Sequence, residues 1–499
     1  MKTLRSISTP VGLAQKEKLL FLFKDAVVYG IVTVLSRSFS LLTFPLLARY
    51  FTVSEYGTID LFLVLLSFLV TFIVFGQDSA VARYFYEYED EKLRRELITQ
   101  SLLTQIVLCM IIVLGLGVTI PIFASWISPA PNSEILLKII LFQAPFAVAI
   151  NFSQNILKWT FQRNRFLIMS LGFSAIQALM LVSVTSFGMW GLSNVLASYA
   201  AVNVIFGALG LLLVRHWLTW PRLPDLSKKL IKFAIPVGII CTIGAIVPFL
   251  ERNFILLLLG DEQLGLYSAG SKVAMLMALL VGTFQTAWGP FSTSIHRQAD
   301  APSTFNLVLK LFGLCVCLLT LLLDVIATPL LTMLASNRYI GGAIVVFPLA
   351  FALAIQAVGW ITEIGIGLGK QSTLYLVSYT AFLGTFLLFV WVLAPYMGIS
   401  GIAAALVTAH AVRAFVSSWL AQKSFHYPWE YSTVINMLLC TLAAGLLASS
   451  DLFELGSFSK IINHLFFATV LITYCARSIY HSHQGLIISI FSQLMRRLP

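Results

Sequence analysis

Apolar residues run along this chain in blocks of roughly 20 to 27, each long enough to cross a hydrocarbon core as a helix rising about 1.5 Å per residue. Fourteen such spans are predicted, at about 26–48, 57–77, 100–124, 135–157, 166–187, 192–214, 230–259, 264–290, 305–328, 341–367, 373–395, 399–420, 432–450 and 460–480. Lipid offers no hydrogen-bond partner to the backbone, so these blocks must satisfy themselves as helices. The pattern predicts an all-α polytopic membrane protein of about 14 transmembrane helices.

The polar positions between the blocks set an orientation. With a cytoplasmic N-terminus, 25 of the 32 basic residues fall on the inside, including Lys92, Arg94, Arg95, Lys228, Lys229, Lys310 and Arg413. Arg49, Lys138, Arg338 and Lys460 fall at outer ends. One span too many or too few would invert this bias downstream of the error, so the alternation supports the count and places both termini in the cytoplasm. The start is basic and polar for about 18 residues without a small-residue cleavage site, so no cleaved signal is expected.

Three landmarks recur at a near-constant offset. Ser54-Glu55-Tyr56-Gly57 is echoed by Glu262-Gln263-Leu264-Gly265 about 208 residues on, and Gly188-Met189-Trp190-Gly191-Leu192 by Gly398-Ile399-Ser400-Gly401-Ile402 about 210 on. The turn at Arg163-Asn164 returns as Lys370-Gln371. Tandem lobes follow: 1–222 with spans 1–6, 223–425 with spans 7–12, and an appended helix pair at 426–499. Two pseudo-symmetric six-helix lobes are the usual build of a secondary transporter. Pro45 in span 1 and Pro236 and Pro248 in span 7 put kinks in corresponding helices.

Composition sharpens this picture. At 59% hydrophobic and 11% charged residues the chain cannot cover a water-facing surface. The net charge of +11 follows from the topology and needs no nucleic-acid partner. Six cysteines lie in apolar spans, where free thiols, no disulfide and no metal are expected. The longest polar stretch, Asp78–Glu96, is too short for a catalytic domain, and the run Glu87–Arg95 reads as a solvated extension of span 2. No Walker motif, zinc pattern or GxSxG elbow appears, so no cofactor is expected.

Ser36-Arg37, Pro45-Leu46-Leu47-Ala48-Arg49-Tyr50, Ser54-Glu55-Tyr56-Gly57 and Gly76-Gln77-Asp78-Ser79-Ala80-Val81-Ala82-Arg83-Tyr84 together resemble bacterial polysaccharide biosynthesis flippases of the Wzx type. These belong to the multidrug/oligosaccharidyl-lipid/polysaccharide (MOP) exporter superfamily. Leu250-Glu251-Arg252-Asn253-Phe254, Leu264-Gly265-Leu266-Tyr267-Ser268 and Trp288-Gly289-Pro290-Phe291 fit the same pattern, so the resemblance covers about residues 20–425. It implies a V-shaped, MATE-like fold in the bacterial cytoplasmic (inner) membrane. It also implies transfer of an undecaprenyl-diphosphate-linked oligosaccharide to the outer leaflet, for O-antigen, capsule or exopolysaccharide. Partners implied are this lipid-linked substrate, membrane lipids, a polysaccharide polymerase and a chain-length regulator.

Ionisable residues inside spans are then the candidate chemistry. Arg37, Arg252 and Lys272, with Arg83 at the inner end of span 2, are candidates for the substrate phosphates. Internal pairing, Arg252 with Glu251 and Lys272 with a carboxylate of another helix, is the alternative. Glu363, Asp324, Asp60 and Asp25 are candidates for ion coupling, Glu363 because it lies deep in span 10 with no sequence-adjacent cation. Local ion pairs compete for Asp60 and Asp25. Trp288, Trp360, Tyr267 and Tyr379 are candidates for stacking on sugars, against the interfacial belt. A MATE-type drug/cation antiporter or a peptidoglycan-precursor flippase would share the fold. A membrane-embedded polymerase or ligase would need a catalytic outer loop, and the longest, near Ser125–Glu134, carries one carboxylate.

Overall fold

A computed structural model of the chain describes residues 43–128, 132–188, 191–369, 371, 373–449 and 457–482. Asp25, Arg37 and Lys370 lie outside the described residues. Among the described residues every regular element is helical, and 12 helical stretches are long and apolar enough to cross a membrane. The end of the first predicted span appears as α1, residues 43–50. The 52-residue α14, Thr373–Ser424, holds two predicted spans, because Gly398 breaks it at φ 59°, ψ −138°. The other predicted spans each fall on helix, though the spans at 100–124 and 341–367 are broken, between Val118 and Ile120 and at Glu363.

The repeat has a structural counterpart at that break. Gly188, the sequence equivalent of Gly398, also has a left-handed backbone, at φ 69°. Left-handed geometry disfavours any residue with a Cβ, so glycine at both positions is required by the turn.

The chain divides into two compact units, 1–265 and 266–499. The first contains α2 (Val53–Val74), α3 (Gln77–Phe85), α4 (Glu91–Val118), the short α5 (Ile120–Ile127), α6 (Ser133–Trp159), α7 (Arg163–Ser186), α8 (Leu192–Val214) and α9 (Pro224–Leu259). Here α6 packs against α8 and α2, while α9 packs on α2, α3 and α4. The compact unit thus extends past residue 222, where the sequence repeat divides, because α9 lies along α2. Small residues permit close approach to α9 and to the start of α10 (Asp261–Ile295): a Cβ on Gly76 would stand 2.7 Å from the Gly238 nitrogen on α9, and one on Gly57 would stand 2.6 Å from the Gly265 nitrogen on α10.

The landmark Ser54-Glu55-Tyr56-Gly57 is the first turn of α2. Thr52 accepts from the Glu55 amide and the Glu55 carboxylate accepts from the Thr52 amide, a reciprocal cap that fixes where the helix starts. Tyr56 is buried, and Gly57 makes the close contact with Gly265.

The second unit holds most of α10 (Asp261–Ile295), then α11 (Ala301–Leu334), α12 (Val346–Thr362), α13 (Ile364–Leu368), α14, α15 (Tyr431–Ser449) and α16 (Ser457–Ser482). Its core is α12 against α14 and α11, and the terminal pair α15–α16 packs on α11. The helical path interrupts at Glu363, between α12 and α13.

Candidate functional site

Charged side chains within these helices are gathered into buried clusters. In unit 1, Asp60 on α2 and Glu251 and Arg252 on α9 are 2%, 5% and 6% exposed. Arg252 donates from Nε to Asp60 Oδ2 at 3.2 Å and from Nη1 to Glu251 Oε2 at 3.0 Å and the Pro248 carbonyl at 3.3 Å. Pro248 sits inside α9 one turn before Arg252, so its carbonyl is within reach of the guanidinium as a third acceptor. Arg252 is therefore held by both acidic neighbours, the pairing alternative with Asp60 added to it.

In unit 2, Glu363 accepts from Arg413 Nη1 at 3.0 Å, and Arg413 is 1% exposed. The Arg413 guanidinium lies 4.8 Å from the ring centre of Tyr379, and the His410 ring packs at 4.6 Å on Phe382. Thr362 and Ser418 bond at 2.6 Å beside it. The helices approach closely here, since a Cβ on Gly365 would stand 2.7 Å from the Ala421 carbonyl. Glu363 has no sequence-adjacent cation, and tertiary packing supplies one: Arg413 reaches it from 50 residues away in sequence.

Asp324 on α11 takes Lys460 Nζ at 2.9 Å and lies 2.9 Å from His464 Nε2, both on α16. Lys310, fully buried, pairs with Glu430 at 2.6 Å. Lys310 and Arg413, both in the inside set by the charge rule, are packed among helices. The signal was present, since each falls inside its predicted span of 305–328 or 399–420.

The remaining candidates are dispersed. Lys272 is half-buried on α10. Arg83 is exposed, 3.9 Å from Glu87 and 4.9 Å from the Phe233 ring centre. Lys229 lies near it, 4.4 Å from the Tyr84 ring centre and bonded to the Tyr88 hydroxyl at 3.1 Å. Tyr267 is fully buried, and Trp288 is 4% exposed between Phe284 and Phe305. Trp360 is half-buried. Among the described residues no group of three His, Cys, Asp or Glu comes together to hold a metal.

Comparison with known proteins follows from this geometry. A family model described as polysaccharide biosynthesis protein matches residues 22–296, just over half of the chain. An uncharacterized membrane protein of Haemophilus influenzae is 23% identical over 290 residues, covering 56% of this chain and 67% of the relative. Among solved structures, the lipid II flippase MurJ in its inward closed conformation superposes with a TM-score of 0.70 at 13% identity, covering 92% of this chain and 100% of the other. The inward-facing conformation of a multidrug resistance MATE family transporter of the MOP superfamily gives 0.65 at 14% identity, covering 80% and 96%. These two likenesses establish the fold, a multi-pass MATE- and MurJ-like helical membrane architecture.

Proposed function

This chain belongs to the polysaccharide biosynthesis protein family, and on that premise we propose that it flips undecaprenyl-diphosphate-linked oligosaccharide repeat units across the bacterial cytoplasmic membrane. The coarser statement, a lipid-linked flippase or transporter of the MOP type, already follows from family and fold. The family match carries the finer reading.

Transport proceeds by alternating access, without ATP. Arg37, Lys272 and Arg83 supply cationic contacts for the diphosphate, and Arg252 joins them when it exchanges an acidic neighbour for a phosphate oxygen. A guanidinium suits that exchange because its planar fork fits carboxylate and phosphate alike. Ion coupling works through partner exchange as well. Asp60, Glu363 and Asp324 each have a basic partner, so a proton or cation must compete with Arg252, Arg413 or Lys460 for its carboxylate. Asp25 remains a coupling candidate at the inner end of span 1. Half-buried Trp360 is the best placed of the four aromatics for sugar contact, since Trp288 and Tyr267 are packed away and Tyr379 faces Arg413.

The reading places the protein in the inner membrane with both termini cytoplasmic, working beside a polysaccharide polymerase and a chain-length regulator. A peptidoglycan-precursor flippase is the second reading, favoured by the 0.70 TM-score to a lipid II flippase. The test is genetic. A deletion strain should lose surface polymer and accumulate lipid-linked repeat units on the cytoplasmic leaflet. Arg37→Ala should reproduce this loss and Arg37→Lys should retain part of the export. Unchanged polymer in the deletion strain, with arrested peptidoglycan synthesis, would favour the second reading.

A further inference from the structure

Unit 1 contains a cavity of about 370 Å³ that the ion clusters do not use. Its polar lining is Ser54 and Glu55 from the first turn of α2, Thr58 one turn further, Asn132 before α6, Ser193 at the start of α8 and Asp261 at the start of α10. Leu136, Leu192 and Leu256 supply an apolar wall. Two of the sequence landmarks, Ser54-Glu55 and Gly191-Leu192, meet at this cavity, and Asp261 immediately precedes the echo Glu262–Gly265.

We propose that this cavity is a saccharide subsite, taking a neutral or amino sugar through its hydroxyls. The volume falls at the small end of ligand pockets, about 300–1,000 Å³. Its chemistry selects against the diphosphate: two carboxylates line it and, among the described residues, no Lys, Arg or His does. A carboxylate accepts hydrogen bonds and donates none, so the complementary ligand presents O–H or N–H groups.

Both carboxylates are already oriented by their own helices. Glu55 Oε2 accepts from the Thr52 amide and hydroxyl, each at 2.9 Å, which leaves acceptor capacity on Oε1. Asp261 accepts from the Glu262 amide at 2.9 Å and from the Ser54 hydroxyl. Fixed acceptors beside an apolar wall suit a sugar ring, which has hydroxyls at its edge and C–H groups on its faces. Among the described residues no third acidic, His or Cys ligand joins Glu55 and Asp261 to hold a divalent cation. Diphosphate is thus bound at the basic residues and the glycan at this separate, acidic place. The subsite rests on the flippase reading and deepens it.

The experiment uses the full-length protein in lipid nanodiscs and saturation-transfer NMR with glucose, galactose, N-acetylglucosamine and rhamnose as probes. At least one probe should receive saturation from the wild type. Ser193→Phe, which fills the cavity, should abolish the transfer, and Thr58→Val, which deletes one hydroxyl at nearly constant volume, should weaken binding about tenfold. No transfer from folded wild type, transfer that persists in Ser193→Phe, or unchanged affinity in Thr58→Val would overturn the subsite. Translocation of a lipid-linked saccharide is measured on the same preparations. Translocation without sugar binding would reject the subsite and leave the flippase standing. Sugar binding without translocation would keep the subsite and reject the flippase.

Discussion

Arg252 Nε stands 3.2 Å from Asp60 Oδ2, joining α2 to α9 across 192 residues of sequence. The contact ties the one described intraspan arginine foreseen for phosphate to a carboxylate foreseen for ion coupling. Removing the guanidinium takes a charged partner from two buried carboxylates, so Arg252→Met should cost about 3–5 kcal/mol. Thermal unfolding of the purified protein measures this. Arg252→Gln made together with Asp60→Asn and Glu251→Gln should recover most of the stability, because no carboxylate is then left without the guanidinium. An Arg252→Met protein as stable as wild type would contradict the ion-pair assignment.

Glu363 and Arg413 should behave as a coupled pair. Each single neutral substitution leaves a buried charge behind, and the double substitution should show a coupling energy of about 0.5–3 kcal/mol. Additive losses would contradict the pairing. If the pair also carries ion coupling, Glu363→Gln made together with Arg413→Gln restores folding but not transport driven by a pH gradient. Native transport in that double variant would make the pair structural.

Hydropathy was enough to read most of this fold, and the limits had physical causes. Each span is a local property of some 20 residues, so helices appeared where the apolar blocks were. The repeat marked Gly188 and Gly398 as equivalent, and their left-handed backbone is what the structure adds. Pairing of charges was not legible. Arg413 meets Glu363 and Lys460 meets Asp324 only through tertiary packing, over separations of 50 and 136 residues. The positive-inside rule gives Lys310 and Arg413 a side of the membrane and says nothing of their burial.

The contact of Gly57 with Gly265 makes a steric prediction. A Cβ on Gly265 would lie 1.9 Å from the Val53 carbonyl oxygen, so Gly265→Ala must displace backbone. It should cost about 1–3 kcal/mol or more. Gly289→Ala is the control, since a Cβ there meets nothing within 4 Å. Equal thermal stability of the two variants would contradict the close approach.

The terminal helix pair should loosen when Asp324 is neutralised. Lys460 and His464 on α16 both face that carboxylate, so Asp324→Asn should raise hydrogen exchange in α16 while leaving α2 and α9 unchanged. Unaltered exchange in α16 would show that packing on α11 alone holds the pair.

Translocation itself is the most direct test of the central claim. Purified protein is reconstituted into liposomes containing an undecaprenyl-diphosphate-linked oligosaccharide labelled on its sugar, and exposure of the label to a membrane-impermeant quencher is followed over time. The account predicts that label initially inside becomes accessible in proteoliposomes much faster than in protein-free liposomes, and that Arg37→Ala slows this to the protein-free rate. Accessibility that rises no faster with the wild-type protein than without it would contradict the account.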